Sequence, residues 1–219
     1  MKLIGSPTSP YVRKVRVYLL ETGMACDFQS VDAWQPDARL LAAAPLGKVP
    51  VLLRDDGPAL FESNLVLEYL DRLQPPAQRL LPVEGEARWD VLRWQTLAHG
   101  LIDSVVVRVL ESRRDEAQRS AIILTREEGR ITRMLDALEV GIAGRQWLAS
   151  DRLSTADIVL GVALQYIDFR DPRDWRRKRP ELAAWCRRVT ARPSFQETLP
   201  TGLHAARVTC FSVAAACRR

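Results

Sequence analysis

The stretch Gly47-Lys48-Val49-Pro50-Val51-Leu52, followed by Phe61-Glu62-Ser63, decides the fold of this chain. Proline cannot donate to a sheet, so Pro50 belongs at a strand start, an edge or a bulge, where a cis peptide bond is tolerated. The Val49 backbone is then left unpaired, and an extended peptide could pair with it. Ser63 opens a predicted helix, whose N-terminus favours a carboxylate. A plain edge strand beside an ordinary helix cap is the alternative interpretation.

The composition is that of an ordinary globular protein, with 219 residues, 47% hydrophobic and 27% charged. No segment approaches the roughly 18 consecutive apolar residues of a membrane span. The N-terminus runs straight into strand-like Lys2-Leu3-Ile4 with no signal-peptide pattern, so we expect a cytoplasmic protein without a membrane partner. The four cysteines form no CxxC pair and the two histidines are far apart, so we expect no metal site and no disulfide framework.

The net charge of +5 is concentrated in one basic run near the C-terminus. Only Trp175 interleaves with it as a stacking platform, so a solvated loop and helix start is favoured over a nucleic-acid site. The run consists of Arg170, Arg173, Arg176, Arg177, Lys178 and Arg179.

The first 80 or so residues alternate strand and helix signals, and the order predicts a small mixed sheet with helices on both faces. The Asp56-Gly57 pair indicates a hairpin between the last two strands. The predicted strands are 2–5, 26–31, 49–53 and 59–61, and the predicted helices are 10–22, 37–44 and 63–73.

After a proline-rich linker at 74–78, only helical signals remain. We predict domains at 1–75 and 86–200, and a tail at 201–219 without an assigned role. Ser154-Thr155-Ala156-Asp157 is a variant of the capping box, and the apolar run behind it is typical of a core helix. The predicted helices are 87–113, 116–142, one that begins at 154, and 180–192, which Pro193 ends.

Together these motifs resemble those of the cytosolic glutathione S-transferases, and most closely those of bacterial YibF-like members. The resemblance covers about residues 1–200 and is carried by Ser6-Pro7-Thr8-Ser9-Pro10-Tyr11-Val12-Arg13-Lys14, 47–52, Glu62-Ser63 and 154–157. It implies an α/β thioredoxin-like N-terminal domain with a mixed four-stranded sheet, and an all-α C-terminal domain. It also implies a homodimeric glutathione transferase, with glutathione as co-substrate, no other cofactor, and glutathione peroxidase activity as a further expectation.

Ser9 is the candidate catalytic residue. A free thiol has a pKa of about 8.5, so glutathione needs help to ionise. Ser9 precedes Pro10 at a predicted N-cap, where free amides favour an anion and its hydroxyl could donate to a thiolate. Ser6 and Thr8 are alternative donors, and Ser9 as a mere helix cap is the structural alternative. Serine forms no disulfide, so conjugation or peroxide reduction is favoured over the exchange chemistry of classes that carry a cysteine here.

The resemblance implies the remaining roles in glutathione binding. The Val49 backbone would pair with the cysteinyl unit beside a cis Pro50. Glu62 would meet the γ-glutamyl ammonium, and Ser63 would hold the γ-glutamyl carboxylate.

Further residues have weaker assignments. Lys48 could reach the glycyl carboxylate or be merely solvated, and Trp34 could shield the tripeptide or be a surface or core aromatic. A second pocket for a small hydrophobic electrophile or a peroxide would be lined by Tyr11, His99, Asp103 and Val106, although His99 and Asp103 could form only a structural pair. The alternative function is a glutathione-binding or protein-interaction module without turnover.

Overall fold

A mixed four-stranded sheet forms the N-terminal part of the computed structural model, which describes residues 1–32, 37–171 and 173–200. The strand order is β2-β1-β3-β4; β1 and β2 are parallel, and the other neighbours are antiparallel. The predicted mixed four-stranded sheet is therefore confirmed. The strands are β1 (Lys2–Gly5), β2 (Asp27–Ser30), β3 (Val51–Leu53) and β4 (Leu60–Phe61).

Helices cover both faces of this sheet, as the alternation of apolar side chains requires. On one face, Leu3 and Leu52 pack with α1 (Pro10–Thr22) and α3 (Ser63–Leu73). On the other face, Ile4 and Val51 pack with Leu40 of α2 (Ala38–Ala43). The bounds of α1 and α3 agree with the sequence prediction.

The rest of the described chain is helical, and its core is continuous with that of the sheet. α6 is buried on every side from Thr155 to Ile167 and packs against α1, α4 and α7. No helix in the described ranges is both long enough and apolar enough to span a bilayer. The helices are α4 (Gly85–Ser112), α5 (Ala121–Ile142), α6 (Thr155–Arg170), α7 (Pro180–Thr190) and α8 (Pro193–Glu197).

The capping box at the start of α6 is confirmed. The buried Asp157 carboxylate accepts from the Ser154 amide at 2.8 Å, the Ser154 hydroxyl at 2.6 Å and the Leu148 amide at 2.7 Å. The box therefore also ties the preceding loop to the start of the core helix, which is a folding role.

Several predicted boundaries differ from the structure by one or more residues, and three of these differences have a clear physical cause. The strand predicted from 49 begins at Val51, because Pro50 has no N–H to give to a ladder. The helix predicted from 116 begins at Ala121, because the Ser120 hydroxyl caps it by accepting from the Ile123 amide at 3.3 Å. The helix predicted to run to 192 ends at Thr190, and Pro193 instead begins α8, because a proline is well tolerated in the first turn of a helix.

Half of the basic run near the C-terminus is matched by carboxylates among the described residues. Arg173 lies 2.7 Å from Asp171, and Arg179 lies 2.7 Å from Asp136. Arg176 pairs with Asp168 in the same way. These ion pairs offset the positive charge locally, which agrees with the structural interpretation of the run.

Candidate functional site

Three chain segments meet at one edge of the sheet. Ile4 pairs with Val51, and Val51 pairs with Phe61. Because these pairings are antiparallel, the end of β1, the start of β3 and the end of β4 lie side by side. The residues that follow β1, precede β3 and follow β4 are therefore neighbours, although the first group lies about 40 residues or more before the other two in the chain.

Ser9 caps α1 and keeps its own proton available. Its backbone is extended, and its Oγ accepts from the Val12 amide at 3.4 Å. Within the described ranges, its hydroxyl donates to no protein group. Ser6 and Thr8, by contrast, share a hydrogen bond of 3.2 Å. One of those two hydroxyls donates to the other, whereas the Ser9 hydroxyl is free to donate and also caps a helix N-terminus.

Val49 is a half-buried residue just outside the sheet ladder. In the part of the chain that the structure describes, its N–H and C=O make no hydrogen bond. The Val49–Pro50 peptide bond is cis, as predicted. Lys48 is exposed on the preceding loop, and Trp34 lies outside the described residues. An extended peptide could therefore reach the Val49 backbone.

The Glu62 carboxylate lies at the N-terminus of α3, where the sequence predicted the carboxylate of a ligand. Its carboxylate accepts from the amides of Asn64 at 3.0 Å and Leu65 at 3.1 Å. The buried Ser63 hydroxyl also donates to Glu62, at 3.3 Å. The residue that caps α3 is therefore Glu62, and Ser63 is the first residue of the helix.

The backbone and charge of Glu62 are both unusual. Among the described residues, Glu62 is the one non-glycine residue with a positive φ, which is 74°. Such a conformation tends to occur at binding and active sites. Burial alone would raise the pKa of Glu62, but the amides of Asn64 and Leu65 and the charge of Lys14 hold it below its ordinary value. Glu62 is therefore an exposed, ionised group whose carboxylate already accepts from Ser63, Asn64 and Leu65.

Three of the four residues predicted for the second pocket lie together. The Tyr11 hydroxyl donates to Asp103 at 2.6 Å, and the rings of Tyr11 and His99 are 5.5 Å apart. His99 Nε2 lies 3.7 Å from Asp103. Val106, farther along α4, is half-buried and packs against the core. Burial and the hydrogen bond to Asp103 raise the pKa of Tyr11, so its hydroxyl is a neutral donor.

Lys14 is a functional candidate that the sequence analysis missed. Its side chain is 0% exposed, and Nζ donates to Asn64 Oδ1 at 2.6 Å and contacts His99 Nδ1 at 2.9 Å. Lys14 is one helical turn from buried Pro10 and Tyr18 on α1. That spacing was the available signal, because it places a lysine on the buried face of the helix.

A surface cleft of about 570 Å³ opens between α4 and α5. Asp103 lines it, but Ser9, Glu62 and Ser63 do not. We locate the candidate site at the sheet edge instead, because the unpaired backbone, the free hydroxyl and the ionised carboxylate are there.

Two family models match the chain. The model "Glutathione S-transferase, N-terminal domain" matches residues 3–78, and the model "Glutathione S-transferase, C-terminal domain" matches residues 121–188. Among curated proteins, the chain is 36% identical over 201 residues to the uncharacterized GST-like protein YibF of Escherichia coli, which covers 91% of this chain and 98% of YibF. It is 29% identical over 213 residues to glutathione S-transferase 3 of Zea mays, with 91% and 93% covered.

Solved structures show the same architecture. A glutathione S-transferase of Methylobacterium radiotolerans, in complex with glutathione sulfonate, has a TM-score of 0.84 at 36% identity, with 91% of this chain and 94% of that chain covered. A glutathione S-transferase of Methylobacillus flagellatus with glutathione bound has a TM-score of 0.86 at 35% identity, with 91% and 98% covered. The thioredoxin-like expectation for the N-terminal part is thereby confirmed. The chain belongs to the glutathione S-transferase family.

Proposed function

We propose that this protein is a glutathione transferase that activates the glutathione thiolate for attack on a small hydrophobic electrophile or a peroxide. One observation carries the proposal. The register that aligns Ile4, Val51 and Phe61 brings a free hydroxyl, an unpaired backbone and an ionised carboxylate to one edge of the sheet. These groups match the thiol, the peptide backbone and the ammonium of one tripeptide.

Ser9 is the proposed thiolate stabiliser. Its hydroxyl donates to the sulfur, while the first amides of α1 supply the positive end of the helix. Lowering the thiol pKa by one unit needs about 1.4 kcal/mol, which one charge-assisted hydrogen bond can contribute. The thiolate then attacks the electrophile and forms a thioether while the leaving group departs with its electron pair.

With a hydroperoxide as second substrate, the thiolate takes the terminal oxygen, and an alcohol is released once the leaving oxygen is protonated. A second glutathione thiol then converts the sulfenate to glutathione disulfide, and water is the other product. The electrons come from the two glutathione thiols, so we propose no cofactor beyond glutathione as co-substrate.

The peptide part of glutathione is proposed to bind along the same edge. The Val49 backbone pairs with the cysteinyl unit, the exposed side of Glu62 meets the γ-glutamyl ammonium, and Ser63 contacts the γ-glutamyl carboxylate. Lys48 is in a position on the exposed loop to attract the glycyl carboxylate. The glutathione ligands in the two solved relatives support this proposal for our chain.

We further propose a cytoplasmic homodimer, with the second substrate beside Tyr11, His99, Asp103 and Val106. Exposed apolar side chains on α3 and α4 support an association surface, since such side chains gain by leaving water. They include Leu65, Leu73 and Trp89, the last of which is 63% exposed. Light scattering that finds only the single-chain mass at micromolar concentration would contradict the dimer.

Turnover separates an enzyme from a module that merely binds glutathione. We expect Ser9→Ala to lower kcat for 1-chloro-2,4-dinitrobenzene or cumene hydroperoxide at least about tenfold, because the thiolate loses its donor. The Kd for S-methylglutathione should change little, since its thioether sulfur carries no charge for the hydroxyl to stabilise. Ser6→Ala and Thr8→Ala are matched controls. An unchanged kcat in Ser9→Ala would remove Ser9 from the mechanism, and binding without turnover of either substrate would favour the module.

A further inference from the structure

Lys14 is a fully buried ionisable residue beside the proposed glutathione site. Its side chain has no accessible surface, and no carboxylate lies within 4 Å of its Nζ among the described residues. Burying an ammonium group without a direct ion pair is costly, and such groups cluster at functional sites. The Lys14 amine therefore calls for an explanation beyond packing.

One path leads from Lys14 to the carboxylate of Glu62. Lys14 Nζ donates to Asn64 Oδ1 at 2.6 Å, and Asn64 Nδ2 donates to Glu62 Oε1 at 3.2 Å. The Asn64 backbone amide holds the same carboxylate at 3.0 Å. Gln95 of α4 also donates to Asn64 Oδ1, at 3.3 Å. The Asn64 side chain thus accepts a hydrogen bond from Lys14 and donates one to Glu62, so it links the two residues.

A second path leads from Lys14 to the proposed second pocket. Lys14 Nζ lies 2.9 Å from His99 Nδ1, and a lysine ammonium can only donate. While Lys14 is charged, Nδ1 of His99 is therefore the acceptor, and the ring proton lies on Nε2, on the side of Asp103. Asp103 accepts from Tyr11. Lys14 thus contacts residues of both the proposed glutathione site and the proposed second pocket.

We propose that Lys14 is a positioning residue for glutathione, which holds Glu62 at the start of α3 through Asn64 and whose charge makes glutathione affinity depend on pH. The inference rests on the proposed function, because it assigns Lys14 to the site where Glu62 meets the γ-glutamyl group.

The direction of the pH dependence follows from the groups around the amine. Glu62 at the start of α3, and His99 and Asp103 on α4, face Lys14, whereas its neighbour Arg13 faces α6 and α8. Burial lowers the pKa of Lys14 to about 7, against the raising effect of Glu62 and Asp103. Burial and the Lys14 charge also lower the pKa of His99. The amine is therefore charged on the acid side of neutrality and loses its proton above it.

A ligand with net negative charge binds better while Lys14 is charged, and by linkage its binding raises the pKa of Lys14. The affinity should therefore fall as the pH rises through neutrality. Glutathione sulfonate is the suitable probe, because its sulfonate stays ionised and no thiol titrates.

The test is calorimetric titration of the full chain with glutathione sulfonate at two pH values. We expect the Kd of the wild-type chain to rise about three- to tenfold between about pH 6 and about pH 8. Lys14→Met should raise Kd about fivefold or more near pH 6 and remove most of the pH dependence. Lys178→Met, at an exposed lysine, is the matched control and should behave like the wild type.

A second variant keeps the inference falsifiable if Lys14→Met does not fold. Asn64→Ala cuts the path at a half-buried position, so it should raise Kd and reduce the pH dependence. Where both variants fold, the double variant should be no weaker than the weaker single one, because both changes break one path. A wild-type Kd and pH dependence in either folded variant would overturn the role of Lys14. Absence of binding by the wild-type chain would overturn the proposed function as well.

Discussion

The Tyr11 hydroxyl on α1 donates a 2.6 Å hydrogen bond to Asp103 on α4. The two residues are 92 positions apart in the chain, so the bond joins the sheet region to the helical region beside the proposed site. Because burial and Asp103 raise the pKa of Tyr11, its hydroxyl remains protonated and committed to this partner. In the proposed mechanism, Tyr11 is therefore assigned to the second pocket, and thiolate stabilisation is assigned to Ser9.

Tyr11→Phe tests that division of roles. The change removes the hydroxyl and keeps the ring, so we expect KM for the electrophile to change about threefold or more, while Kd for glutathione sulfonate stays within about twofold. Steady-state kinetics and calorimetry measure the two quantities. Tyr69→Phe is the matched control, because it removes an exposed hydroxyl of α3 that donates to Asp56. A weaker Kd without a change in KM would place Tyr11 in glutathione binding instead.

Glu62→Gln tests where the tripeptide lies. Glutamine keeps an acceptor for the amides of α3 but loses the charge that meets an ammonium, so we expect Kd for glutathione sulfonate to rise about tenfold. Glu68→Gln, on the same helix and paired with Arg88 at 2.8 Å, serves as the control with unchanged affinity. If Glu62→Gln binds as tightly as the wild type, the γ-glutamyl group is not at the start of α3.

Lys14→Met should stabilise the fold even as it weakens binding. Because burial lowers the pKa of Lys14 to about 7, the folded state binds fewer protons than the unfolded state between that value and the ordinary lysine pKa. The resulting destabilisation is complete below about pH 7 and shrinks as the pH rises toward 10. Removing the buried charge should therefore raise the free energy of unfolding by roughly 1 to 4 kcal/mol near pH 6.5, and by less near pH 9. Urea unfolding at both pH values measures it, and a gain that is larger near pH 9 would contradict this account.

Arg13→Met tests the junction between the sheet region and the helical region. Arg13 is buried and donates to the Phe195 carbonyl at 3.0 Å, to the Thr198 hydroxyl at 3.3 Å and to Gln165. Methionine fills similar space but leaves buried acceptors without a donor, so we expect a loss of about 2 to 4 kcal/mol in the free energy of unfolding. Chemical denaturation checks the value. Arg187→Met on the exposed side of α7 is the control, and an equal loss there would show that the effect is not specific to the junction.

Much of the fold could be predicted from interactions between residues close together in the sequence, such as helix caps. α1 runs from Pro10 because Ser9 caps it, and it ends where Gly23 adopts a φ of 65°. Such caps act within a few residues, so the order of strands and helices and the start of α3 could be predicted. The boundary at 116 was wrong because Glu116–Gln118 forms a separate single turn before α5, and the Ser120 cap begins the helix itself.

The sequence by itself thus predicted the residues that we propose to meet glutathione: Ser9, Val49, Glu62 and Ser63. Only the tertiary structure decided that Glu62 occupies the helix end itself and that Lys14 lies behind it. Lys14 contacts Asn64 and His99, which are 50 and 85 positions away in the chain. Helical periodicity shows that a side chain faces the interior, but its charge state and partners depend on which distant helices pack against it.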